Sequence, residues 1–101
     1  MTKPFTIRYL STAERDLNDI FTHIMKDNPL AAHSQLEKFE KSISKLASNP
    51  LLGVTPKDPR LKKLGYRILI VSTYLIFYVV KNKTVQIRRI IHGARQYSFL
   101  L

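Results

Sequence analysis

Lys62, Lys63, Arg67, His92, Arg95 and Tyr97 are the side chains of this chain whose types suit chemistry on a phosphodiester. Cleaving RNA through its 2′-hydroxyl takes a base for that oxygen, a cation for the phosphate and an acid for the leaving oxygen. An imidazole is the usual proton carrier near neutral pH, and His92 stands beside Gly93 at the end of a β-like run, where its ring would be open to solvent. A lone strand-end histidine is more often a structural residue. The carboxylate that would orient or replace it is missing, because Asp58 is the only acid after Glu40. A nuclease built here would depend on Lys, Arg and Tyr for its proton transfers.

The second possible use of the same cations is contact. Residues 1–50 hold 7 Lys/Arg against 6 Asp/Glu, a net of +1, whereas residues 51–101 hold 10 against 1, a net of +9. So lopsided a field fits a polyanion or an acidic protein partner. Lys57, Arg60, Lys62, Lys63, Arg88 and Arg89, with Arg67 and Arg95, are the candidate contact residues for a target or nucleic acid. The plainer reading is a solvated basic surface. Tyr66, Tyr74, Tyr78 and Tyr97 are spaced among the cations and could stack on bases; for Tyr74, Phe77 and Tyr78 the core is the simpler destination. There is no cysteine, so no disulfide framework and no thiolate nucleophile. His23, His33 and His92 lie far apart without ligand spacing. No metal and no cofactor is expected. The N-terminus lacks the apolar core of a signal peptide and no stretch is long enough to span a bilayer, which reads as a cytoplasmic chain without a membrane partner.

These residues need a scaffold, and at 101 residues with 45% apolar content the chain is expected to fold as one domain, 1–101. Phe5 to Leu10 alternates like a strand. Ser11 and Glu14 have capping-box spacing, which predicts a helix from Ser11 with an apolar stripe of Ala13, Leu17, Ile20, Phe21 and Ile24. Asn28-Pro29 supplies the next helix start, with Ala32, Leu36, Phe39, Ile43 and Leu46 as its stripe. Asn49-Pro50 is expected to end it. Residues 50–65, with three prolines and two glycines, read as a loop without regular structure. Tyr66–Val71, Tyr74–Val80 and Thr84–Ile91 read as an antiparallel meander, turning at Lys81-Asn82-Lys83. The run Tyr74–Val80 is apolar on both faces, which makes it central and demands a second cover, from Tyr97, Phe99, Leu100 and Leu101 or from a partner. The parity of Val85, Ile87, Arg89 and Ile90 predicts either a bulge near Arg88-Arg89 or one arginine on a partly covered surface. The fold class is therefore α+β in the order β-α-α-β-β-β, a helical hairpin packed on a small, mainly antiparallel sheet.

With these elements in place, the chain resembles the RelE/ParE superfamily of type II toxin–antitoxin toxins. The resemblance spans nearly the whole chain: an extended start, the helical hairpin, then Gly65-Tyr66-Arg67, Tyr74-Leu75-Ile76-Phe77-Tyr78 and Ile87-Arg88-Arg89-Ile90-Ile91-His92-Gly93-Ala94-Arg95. It implies a growth inhibitor held inactive in a hetero-oligomer with a cognate antitoxin. It offers two mechanisms. RelE-like members cut mRNA on the ribosome; in that pattern Arg67 would clamp the phosphate, Arg95 would stabilise the transition state, and His92 or Tyr97 would move protons. ParE-like members poison DNA gyrase and would use His92–Leu101 as a contact surface without proton chemistry. Tyr97 follows Arg95 by two residues, closer than the RelE-like pattern has it, and the Tyr-Leu-Ile-Phe-Tyr strand and Ile-Ile-His-Gly-Ala-Arg ending look more like ParE. Gyrase is thus the expected target, with the ribosome and its mRNA as the alternative. A third possibility, a non-toxic RNA-binding module, would show salt-dependent RNA affinity without growth arrest.

Overall fold

The computed structural model of the chain describes residues 4–93 and 101. Its elements are β1 (Thr6–Tyr9), α1 (Ser11–Asp27), α2 (Pro29–Ser44), a 3₁₀ turn over Lys45–Ala47, α3 (Pro59–Lys63), β2 (Tyr66–Val71), β3 (Tyr74–Lys81) and β4 (Thr84–His92). The strands form one mixed sheet in the order β1-β4-β3-β2, with β1 parallel to β4 and the other pairs antiparallel. The α+β hairpin-on-sheet architecture is the expected one.

Local chemistry explains most boundaries. Asn28 caps α2, its side-chain oxygen accepting from Ala31 N at 3.1 Å, with Pro29 at the first helical position. Asn82 and Lys83 have φ of 50° and 65°, the left-handed pair that a two-residue hairpin loop needs to follow the twist of β3 and β4. Gly65, at φ 85°, lets the chain turn from α3 into β2. Opposite β3 the ladder slips between Phe77, which pairs with Arg89, and Tyr78, which pairs with Ile87, so Arg88 is the extra residue of the expected bulge.

Three expectations need correction. Helix α1 does start at Ser11, but Leu10 occupies the cap position and no side chain caps it. Leu10 N donates to Ile87 O at 2.9 Å, so the sheet ladder sets the strand-to-helix corner and Ser11 is already helical. Helix α2 stops at Ser44 and tightens into the 3₁₀ turn before reaching Asn49-Pro50. The segment 50–65 is not structureless. Asp58 Oδ1 accepts from Arg60 N at 2.9 Å and Pro59 opens α3, the same cap-then-proline signal that starts α2.

The sheet is buried on both sides. Toward the hairpin, Ala13, Phe39, Ile43 and Leu46 pack on Leu69, Val71, Ile76, Tyr78, Val85, Ile87 and Ile90. On the opposite face Leu61 of α3 packs on Tyr66, Ile68, Phe77, Val79 and Ile91, with Leu75 and Leu101 at the margin. Of the C-terminal residues expected to supply the second cover, Leu101 does so, while Tyr97, Phe99 and Leu100 lie outside the described residues.

Tyr78 ties the loop after the hairpin to this core. Its side chain is fully buried, its hydroxyl donates to Pro50 O and accepts from Gly53 N, each at 2.8 Å. A Cβ on residue 53 would stand 2.7 Å from that hydroxyl and 2.9 Å from Ile68 O. Gly53→Ala should therefore lower the unfolding free energy by about 1–3 kcal/mol, since the buried ring has no room to retreat. Burial, opposed by the Gly53 hydrogen bond and the Arg67 charge, holds the Tyr78 hydroxyl above the ordinary 10.0. A raised value favours the neutral form in the folded state, so this stabilisation is full below pH 10 and is lost as pH climbs through the folded value. Urea titrations from pH 8 to 11 should show a smaller alkaline loss of stability for Tyr78→Phe than for the parent chain.

Candidate functional site: two faces of a cationic sheet

Strand alternation and the bulge at Arg88 distribute the candidate residues over both faces of the sheet. Arg67 pairs across the ladder with Tyr78 and so lies on the hairpin side of β2. Its Nη1 donates to Gly53 O at 2.8 Å and to Leu51 O at 3.3 Å, which engages the guanidinium in holding the 50–54 segment. Arg89 also meets the hairpin. Its Nε and Nη2 donate to Asp16 Oδ2 and Oδ1 at 2.7 and 3.0 Å, and Ile90 N adds a third hydrogen bond to the same carboxylate at 3.0 Å. The Asp16 carboxylate raises the Arg89 guanidinium above its ordinary value, burial opposing it.

His92 ends β4 on that side as well, its ring set edge-on to Tyr74 at 5.3 Å. With Asp16, Asp19, His23, Tyr74 and Arg89 it borders a hollow of about 340 Å³. The structure does not bring His92 and Arg67 together. They flank β3 at Tyr74 and Tyr78, four ladder positions apart, which is roughly 13 Å along the strand at ~3.3 Å per residue.

The opposite face gathers other cations. Arg60, Lys62 and Lys63 are exposed on α3, whose one buried residue is Leu61, and Lys57 is exposed just before it. Arg60 Nη1 donates to Leu101 O at 3.3 Å. Arg88 lies over the Tyr66 ring at 5.4 Å, donates from Nη2 to Gln86 Oε1 at 3.0 Å and reaches the Tyr66 hydroxyl at 3.4 Å. Its Nε is buried without a partner. Arg95 and Tyr97 lie outside the described residues. Chemically, the α3 face is equipped to hold anionic groups by the charge of its exposed lysines and arginine. No group of three or more His, Cys, Asp or Glu among the described residues could hold a metal ion.

Sequence reasoning missed Asp16, which no local pattern separates from other helix acids, because its partner lies 73 residues away. It also missed the division of the arginines. The alternation was legible, but the residue at which the bulge reversed it was not.

The described residues thus form a helical hairpin on a small mixed sheet, with cations on the sheet and a second apolar face under α3. The model of the ParE toxin of type II toxin–antitoxin systems (parDE) matches residues 7–97. The chain belongs to this family, within the RelE/ParE superfamily. Among solved structures it is similar to a chain of the chromosomal ParDE toxin–antitoxin system from P. aeruginosa, with a TM-score of 0.74 and 22% identity over 90% of this chain and 98% of that one. It is also similar to a chain of the toxin–antitoxin complex RelBE2 from Mycobacterium tuberculosis, with a TM-score of 0.58 and 27% identity over 88% of this chain and 98% of that one. No curated protein sequence matches it significantly. No helix among the described residues is long and apolar enough to cross a membrane.

The Asp16 contact yields a prediction. The side chains of Arg89 and Asp16 are only 21% and 14% exposed. Asp16→Ala removes two hydrogen bonds of the guanidinium and the acceptor of Ile90 N and should cost about 2–4 kcal/mol. Chemical denaturation of the two proteins measures it directly. A loss of a few tenths would mean that water replaces the carboxylate at no cost.

Proposed function

We propose that this protein is a growth inhibitor neutralised by a cognate antitoxin, and that it acts by binding and poisoning DNA gyrase rather than by cutting RNA. The observation that carries the choice of target is the placement of Arg67. The guanidinium a ribonuclease would aim at phosphate is bonded to the Gly53 and Leu51 carbonyls on the hairpin side, four ladder positions from His92. Proton transfer requires its groups within hydrogen-bond reach of one substrate. A contact inhibitor has no such requirement, and the match to the ParE model supports the same reading. The cations of the α3 face, Lys57, Arg60, Lys62, Lys63 and Arg88, supply the field that draws an acidic target or antitoxin. The antitoxin reading is supported by the two similar structures, both described as toxin–antitoxin systems or complexes.

The likeness to the RelBE2 chain favours the alternative, ribosome-dependent cleavage of mRNA, in which Arg67, His92, Arg95 and Tyr97 would be the catalytic set. Pulse labelling after induction in bacteria separates the two. Thymidine incorporation should fall first, within minutes, with amino-acid incorporation following later. An early fall in amino-acid incorporation would move the target to the ribosome. With neither affected, the toxin reading itself is lost.

A further inference from the structure

We propose that the open half of the sheet face beside α3, over β1 and the start of β4, is a track for the phosphate backbone of duplex DNA. The proposal rests on the gyrase reading above, which supplies a DNA-bound target, and adds a surface to the cations of α3. The ladder defines it. Thr6 and Arg8 of β1 pair with Thr84 and Gln86 of β4. Gln86 pairs in turn with Val79, and Val79 with Tyr66, both of which pack with Leu61 of α3. Paired residues share a face of a sheet, so Thr6, Arg8, Thr84 and Gln86 lie on the α3 side, as does Lys81, the partner of Thr84. Arg88 joins them, stacked on the Tyr66 ring at 5.4 Å and donating to Gln86 Oε1 at 3.0 Å. The alternate positions Ile7, Tyr9, Val85 and Ile87 face the hairpin core. This side of the sheet is thus apolar over β2 and β3, where Leu61 covers it, and wholly polar or basic over β1 and the start of β4.

That composition decides the occupant. Arg8, Lys81 and Arg88 supply charge, Thr6, Thr84 and Gln86 supply hydroxyl and amide groups, and no carboxylate stands among them. These are the side-chain types that contact phosphate and sugar oxygens. A protein partner needs an apolar centre to anchor it, and these six positions offer none. Single-stranded RNA is held by stacking its bases on exposed rings. The ring beside the track, Tyr66, is only 7% exposed and lies beneath Arg88. The arrangement suits a charged, sequence-independent hold on a double-helical backbone. Arg60, Lys62 and Lys63, exposed on α3, extend the field over the neighbouring half of the face. A gyrase inhibitor with this track touches enzyme and DNA together and so gains a second hold on the complex it poisons.

The test titrates the purified full chain against a short fluorescent DNA duplex at several salt concentrations. Affinity should fall about 100-fold or more between about 50 and 200 mM salt, the dependence expected when about four phosphates are neutralised. Arg8→Gln combined with Lys81→Gln should lower the slope of log affinity against log salt by about 2 and weaken binding about tenfold or more at the lower salt, with circular dichroism unchanged. Lys38→Gln combined with Lys41→Gln removes the same charge from exposed positions on α2 and should leave affinity within twofold of the parent. Equal losses for the two pairs would mean diffuse attraction to a chain of +10 and would overturn the proposal. Tighter binding of duplex or single-stranded RNA would overturn it too, as would an affinity indifferent to salt. In a gyrase cleavage assay the Arg8 and Lys81 double variant should need about tenfold more protein than the parent to trap cleaved DNA. If the parent traps none, the gyrase reading fails by itself, and the duplex titration still decides the track.

Discussion

Strand β3 is apolar or aromatic on both faces from Tyr74 to Val80, and the rest of the architecture answers that constraint. A strand of this kind is stable only as the middle of a sheet covered twice. The hairpin provides one cover. Its two stripes bury Ala13, Phe39 and Ile43 against the sheet, and the 3₁₀ turn adds Leu46. The other cover is small: one turn of helix, α3, drives Leu61 into the second face, and Leu101 lies against its margin. Because Leu61 is the one buried residue of α3, its neighbours Arg60, Lys62 and Lys63 are left in solvent. The residue that completes the core therefore also fixes where the cations stand.

The hairpin could not sit where it does without a second device. Strand β1 pairs with β4 only from Thr84 to Ile87, and beyond that β4 would present an open edge. Helix α1 takes over there: Thr12 Oγ1 donates to Arg88 O at 2.8 Å, and Asp16 accepts from Ile90 N and from Arg89. The bulge at Arg88 shifts the ladder by one residue along this edge, so that Ile90 pairs with Ile76 in the hairpin-side core and its N–H meets Asp16. A sheet edge, a bulge and an ion pair are thus one solution to the problem of unpaired backbone.

What was legible in the sequence was whatever is encoded locally. The stripe of α1, the Asn28-Pro29 cap, the hairpin turn at Asn82-Lys83 and the two-faced run of β3 are patterns within about a dozen residues, and each reappears in the fold. Asp58-Pro59 was equally local, but the density of proline and glycine around it hid the helix start. The capping box at Ser11 failed for the reverse reason: a valid local signal was overridden when β1 carried its ladder one residue further, into Leu10. The site was less legible than the scaffold. Which arginine meets a carbonyl, a carboxylate or solvent depends on contacts made across intervals such as the 14 residues from Arg67 to Gly53 and the 73 from Arg89 to Asp16. Residue type and spacing placed Arg67, Arg88, Arg89 and His92 on one small sheet; they could not say which of them Asp16, Tyr66 or a loop carbonyl would hold.

That assignment bears on mechanism. The six acids of the first half all lie on α1 and α2, and Asp58 is engaged in capping α3. Of the cations, Arg67 and Arg89 are held to carbonyls and to Asp16, whereas Lys57, Lys62 and Lys63 stand free in solvent on the far side. Charge is therefore unevenly spread: every acid but Asp58 lies on the hairpin, among the cations Arg15, Lys26, Lys38 and Lys41, whereas Lys57, Arg60, Lys62 and Lys63 have only Asp58 near them in sequence. An uneven surface charge of this kind steers an acidic partner to one side and fixes its orientation before close contact forms. Catalysis would need the opposite arrangement, charge converging on one point in a site that excludes water. The guanidinium groups of Arg67 and Arg89 are bonded to backbone carbonyls and to a carboxylate, whereas Lys57, Lys62 and Lys63 extend long, rotatable stems into solvent. Such side chains suit a broad macromolecular interface better than a reacting phosphate.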